Sequence, residues 1–317
     1  LIVVPVAIFF LAGLPCCGDE APSDKADGEN ITELQHEAGK SDGHEGHQHD
    51  VTDKRPKLPE KIPAPVMDSL RVKKKRYNIT LDTYWEDKGG ILANDFVEVY
   101  YPAGQMMVTH AMYALEQIVF ARDKCRTYWG SMPNHKLKLI CTAEMEDFKE
   151  VTRLDWWRYS KIEGDQITFQ PIYILFQRQL GEVAIAHEYH EWAIGRLAAG
   201  KAPRLLVEGL ASHLSGEAKI LAKQLSVIPE EDRNMSPDEV EKTLLKESRK
   251  DRSRVAYYHA HRLVVGIIFQ HGQESLQLVI KRLGEGVELD EAFREACNKS
   301  YEAVLLEVKD YKGNSGS

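Results

Sequence analysis

Ala186-His187-Glu188-Tyr189-His190-Glu191-Trp192, with Val207-Glu208-Gly209-Leu210-Ala211 downstream of it, is the stretch on which the reading of this chain turns. If the first segment is helical, residues four apart lie on one face, so His187 and Glu191 can reach one cation together. His190 faces nearly the same way, and Glu188 is offset by one position. Gly200 is suited to end that helix and Pro203 to open the next. A short connection of this kind returns Glu208 to the face of the first helix. Burying three or four ionisable groups without a cation is costly. A metal relieves that cost, as would a hydrogen-bonded network with Tyr189, His213 or Tyr257.

These residues resemble the gluzincin metallopeptidases, in particular the small bacterial peptidase-MA-like domains, whose two-helix core carries HExxH and then a glutamate in an EGLA-type motif. The similarity extends to the order of strands and helices before the first active helix. It also takes in the segments AYYHAHRLVVGIIFQHG, LDEAFREAC and SYEAVLLEVKDY, and it spans about residues 70 to 311. The resemblance implies a zincin-like fold, a peptide or protein substrate and a Zn²⁺ ion. Glu188 would be the general base and Tyr257 an oxyanion donor. An extended substrate would pair with an edge strand among Trp156 to Phe169.

One departure leaves three readings open, because Glu191 stands where the family has its second histidine. In the first, His187, Glu191 and Glu208 hold the metal, and two anionic ligands acidify its water less than two histidines would. In the second, His190 replaces the missing histidine. In the third, the fold is a relic without metal, and the chain is an inactive binding or scaffold protein of the cell envelope.

Outward from this core the periodicity predicts an α+β fold: a mixed sheet with helices first, then an all-helical half. Strands are expected at Tyr77 to Tyr84, Phe96 to Tyr101, Leu137 to Cys141, Trp156 to Tyr159, Gln166 to Phe169 and Ile172 to Phe176. Helices are expected at Met106 to Cys125, near Glu144 to Thr152, and from Glu182 onward. The later ones include one capped by Ser236 with Pro237 and Glu239, and others at Val255 to Gln270, Glu274 to Leu283, Asp290 to Ala296 and Tyr301 to Lys309.

The domain is expected over residues 66 to 312, with a flexible end at 313 to 317. Leu1 to Leu14 is an uncharged apolar run followed by Cys16 and Cys17. It predicts a signal peptide over 1 to 17, of lipoprotein type, and an extracytoplasmic address in the cell envelope, with membrane contact only through the lipid anchor. Residues 18 to 65 read as a disordered acidic tether, in which His36, His44, His47 and His49 can collect metal loosely or serve only as spacer.

The 317 residues hold 41 Lys and Arg against 49 Asp and Glu, a net charge of −8. All of that excess sits between Asp19 and Asp50, so the folded part is neutral on paper. Nucleic acid is excluded as a partner, since a phosphate-binding domain needs surplus cations to release counterions. Cys125, Cys141 and Cys297 lack the spacing of a structural zinc site; a Cys125 to Cys141 disulfide is compatible with an oxidising compartment but is not compelled, since buried free Cys behaves as a small hydrophobe.

Overall fold

The computed structural model of the chain describes residues 80–84, 89–104, 107–246 and 249–311. The signal-peptide, tether, histidine-cluster and C-terminal-tail expectations fall outside these residues. Among the described residues no helix is long and apolar enough to cross a membrane.

The architecture is α+β. Among the described residues six strands form one mixed sheet: β1 (Thr80–Tyr84), β2 (Gly89–Ala93), β3 (Val97–Tyr101), β4 (Leu137–Cys141), β5 (Ser160–Glu163) and β6 (Gln166–Phe169). Their spatial order is β1-β2-β3-β4-β6-β5. β1, β2 and β3 pair antiparallel, β3, β4 and β6 run parallel, and β5 returns antiparallel at the edge. Helix α1 (Met107–Trp129) crosses from β3 to β4, and α2 (Met145–Thr152) lies between β4 and β5.

Alternation explains which face is covered. Val97, Val99 and Tyr101 on β3, and Leu137, Leu139 and Cys141 on β4, are buried with less buried neighbours between them. They pack with Ala111, Leu115 and Ile118 of α1 in one core.

The remaining elements are helical: α3 (Ile172–Gln177), α4 (Gly181–Leu197), α5 (Arg204–Ser215), α6 (Ala218–Ser226), α7 (Pro237–Leu245), α8 (Lys250–His271), α9 (Gln273–Gly284), α10 (Leu289–Cys297) and α11 (Tyr301–Val308). Helix α4 joins two cores. Ala184, Ile185, Tyr189, Trp192 and Ala193 belong to the sheet core, whereas Ile194 joins the helical core with Leu205, Leu210, Leu263 and Val264. A helix flanked on both sides by apolar packing has no exposed face for its charged residues. His187, Glu188, His190 and Glu191 are buried as a result.

Two sequence expectations are corrected, and two elements were not anticipated. Trp156 to Tyr159 is not a strand; the strand begins at Ser160 and turns through Gly164 (φ 63°) into β6. Ile172 to Phe176 is the short helix α3, which alternation in an apolar hexamer could not separate from a strand. Strand β2 and helix α6 were not anticipated. Of the two states open to Cys125 and Cys141, the structure shows the free one: both thiols are packed in the sheet core as small apolar groups. Burial pushes each thiol's pKa up to about 12, which keeps them unreactive.

Candidate metal centre

The centre is built by the α4–α5 hairpin. Helix α4 closes with the Gly200 amide bonded to the Gly195 carbonyl at 2.8 Å and the Ala199 amide to Arg196 at 3.1 Å. Both Ala199 (φ 51°) and Gly200 (φ 73°) take left-handed backbone, so the chain reverses sharply. Pro203 caps α5, and the second helix runs back along the first. Glu191 therefore meets Arg204, and one turn further along each helix His187 meets Glu208.

His187 Nε2 lies 3.0 Å from Glu208 Oε2 and 3.9 Å from Glu191 Oε2. One ligand atom from each of these three residues lies within 4.8 Å of the others, and all three residues are buried, so the group can hold a metal ion. The expected ligands converge.

The far oxygens are engaged elsewhere. Arg204 reaches Glu191 Oε1 at 2.6 Å through Nη1 and Glu208 Oε1 at 2.7 Å through Nη2. The guanidinium fork thus orients both carboxylates and leaves their Oε2 atoms facing His187. On the other side of the ring, His187 Nδ1 lies 2.8 Å from Glu217 Oε2, within ion-pair reach but off the line of a well-aligned hydrogen bond. Glu217 follows the left-handed Gly216 (φ 80°) at the end of α5, and its carboxylate accepts a hydrogen bond from the Ser212 hydroxyl at 3.0 Å. A carboxylate behind the imidazole is the arrangement that fixes a ligating histidine's ring and raises its basicity.

The charges follow from this geometry. Burial works against protonation of His187, but Glu217 and Glu208 overcome it and raise the pKa well above its ordinary value. Burial also opposes ionisation of Glu208, which Arg204 outweighs, holding it ionised. Glu191 is raised by burial despite Arg204. Glu188 is pushed up to about 8, by burial first and then by the neighbouring Glu191 carboxylate. With protons on His187 and Glu188, the charges of His187, Arg204 and Arg158 balance those of Glu191, Glu208 and Glu217, and a divalent cation replacing those two protons would leave the sum unchanged.

The centre opens into a cavity of about 500 Å³ lined by His187, Glu188, Glu191 and Tyr257, and by Ser160, Lys161 and Ile162 from edge strand β5. Tyr257, on α8, stands edge-on to His187 with ring centroids 6.3 Å apart. Burial and the Glu208 charge raise its pKa well above the ordinary value, so the phenol keeps its proton. Its oxygen accepts a hydrogen bond from Arg158 Nη1 at 2.7 Å.

His190 is not part of the converging group. It is fully buried against Tyr189, neither ring nitrogen has a hydrogen-bond partner, and burial brings its pKa down to about 3. Sequence reasoning missed Arg204, Arg158 and Glu217. Arg204 carried a signal, being four residues before Glu208 on the same helix. Glu217 carried none, since its approach depends on the turn at Gly216.

No protein-family model and no curated protein matches this chain.

Proposed function

We propose that the chain is a metal-dependent hydrolase acting on peptides, with Zn²⁺ held by His187, Glu191 and Glu208 in a zincin-like helix pair. The observation that carries this reading is the convergence of three buried ligand atoms within 4.8 Å, backed by Arg204 and Glu217 on their outer sides. An imidazole with carboxylates suits zinc among the divalent ions, and a carboxylate-rich set also admits harder metals.

A bound divalent ion supplies Lewis acidity toward a carbonyl and lowers the pKa of water. The protein's own residues do the rest. Glu188, beside the ligand set and facing the cavity, accepts the proton of the attacking water and passes it to the leaving amine. Its pKa of about 8 without metal falls toward the carboxylate range beside a cation, which readies it as a base. Tyr257, held by Arg158, donates to the developing oxyanion. An extended peptide pairs with the free edge of β5, whose Ser160, Lys161 and Ile162 line the cavity.

Elemental analysis of the full chain after mild purification tests the reading. Near-stoichiometric metal is expected in the native protein and in Glu188→Gln, with loss in His187→Ala. Glu188→Gln is expected to lower peptide turnover by about 10²–10⁴-fold. A metal-free native protein that takes up metal only as Glu191→His would sink it.

One observation favours a second reading, an inactive binding protein. Arg204 bridges Glu191 and Glu208 and a protonated His187 supplies the second positive charge, so the site is satisfied without a metal ion. On that reading Glu188→Gln changes no proteolytic readout and no metal is retained.

A further inference from the structure

The cavity carries more positive charge than its centre uses. Arg204 is committed to Glu191 and Glu208, and Arg158 donates to Tyr257. Lys161 pairs with Glu163 at 2.9 Å and Arg254 with Asp251 at 3.3 Å. Arg178 and Lys250 also line the cavity, and neither forms an ion pair with a carboxylate among the described residues. Arg178 makes two long hydrogen bonds, 3.4 Å to the Trp156 carbonyl and 3.5 Å to Gln170 Oε1.

Both cations gather on one ring. Arg178 Cζ lies 5.2 Å and Lys250 Nζ 4.4 Å from the centroid of Trp156, whose residue is 47% exposed. The ring face attracts each cation but does not cancel the repulsion between them. Burial lowers the pKa of Lys250, the charges of Arg254 and Arg178 add to that effect, and Asp251 only partly opposes it. Lys250 is also the first residue of the 22-residue helix α8. At that end the aligned peptide dipoles disfavour a cation and favour an anion. An aromatic plate, two cations with no ion-pair partner among the described residues and the positive end of a long helix thus share a wall of the cavity that holds the centre.

We infer that Trp156, Arg178 and Lys250 form a subsite for a carboxylate of the peptide substrate, an assignment that rests on the hydrolase reading above. The ring supports the apolar stem of the acidic residue. The guanidinium and the ammonium meet its two oxygens, and the pairing relieves their mutual repulsion. Side-chain and C-terminal carboxylates share this chemistry.

Fluorescence anisotropy tests the subsite in the full chain carrying Glu188→Gln, so that no turnover is required. The probes are a dansyl pentapeptide amide with a central Glu, the same peptide with Gln, and the Gln peptide with a free C-terminal carboxylate. At low salt at least one carboxylate probe is expected to bind about tenfold tighter than the neutral one, with the margin shrinking as salt rises. The tighter of the two carboxylate probes identifies the source. Adding Arg178→Gln and Lys250→Gln is expected to reduce that affinity to the neutral probe's; if the double change unfolds the protein, Lys250→Gln alone is expected to shrink the margin. Equal binding of all three probes, or a margin that survives these substitutions, overturns the subsite. Metal content is measured alongside: metal present without carboxylate preference removes only the subsite, and preference without metal removes only the hydrolase reading.

Discussion

Arg204 decides what Glu191 does. A glutamate at the last position of the motif would be an unpaired buried charge if the guanidinium did not hold its Oε1 at 2.6 Å. Arg204→Met is expected to destabilise the metal-free protein by about 3–5 kcal/mol, because two buried carboxylates lose their partner. Thermal melts with a chelator and then with Zn²⁺ check this, and partial recovery on metal addition is expected if a cation takes up the freed charge. No recovery would favour the ion-pair site over the metal site. Glu217 behaves differently: Glu217→Gln keeps the shape behind His187 but removes its anion, and a roughly 10–100-fold weaker metal affinity by competition titration is expected. Glu217 could not be placed from its letter and Arg204 only by its spacing to Glu208, whereas the convergence of His187, Glu191 and Glu208 could be read. Helical periodicity places the first two on one face, and the paired punctuation of Gly200 and Pro203 places the third opposite them.

The α5 helix is pressed against α8 at Gly209. A methyl group on Gly209 would run into the Ala260 carbonyl oxygen and the Val264 side chain. Gly209→Ala is therefore expected to cost about 1–3 kcal/mol and, by pushing α5 outward, to loosen Glu208 from His187. A melt read beside metal retention checks both consequences; an unchanged melting temperature would show that α5 and α8 part without cost. Elements with strong internal signals were legible in the sequence. The box of Ser236 and Glu239 forms as expected, with the Ser236 hydroxyl accepting from the Glu239 amide at 3.4 Å, and α7 follows. Helix α3 and strand β2 were misread or missed because each is short, and short apolar runs carry too few residues to show a period.

Across the whole molecule, stability and metal binding are linked through protons. Glu188 in the folded protein titrates near 8, above the carboxylate's ordinary value of 4.5, and His187 is likewise raised. Both raised values mean that folding binds protons, so their contribution is full at pH values below the unfolded pKa and is lost as pH rises through the folded one. With a chelator present, the melting temperature is expected to fall between about pH 6.5 and pH 8, above the range in which the buried, neutral His190 and His261 contribute the opposite slope. Glu188→Gln is expected to flatten that slope, and saturating Zn²⁺ to restore stability at pH 8. A native protein whose melt is insensitive to pH across this window would remove the proton linkage. The sequence by itself determined the helical faces, the hairpin that joins α4 to α5 and the α+β division, because these follow from local periodicity and from the backbone preferences of glycine and proline. Only the tertiary structure decided that Arg204 and Glu217 would flank His187, Glu191 and Glu208, that His190 would turn into the core, and that Arg178 and Lys250 would share Trp156. Each of those depends on which elements pack together, and burial and charge compensation are settled only when distant segments meet.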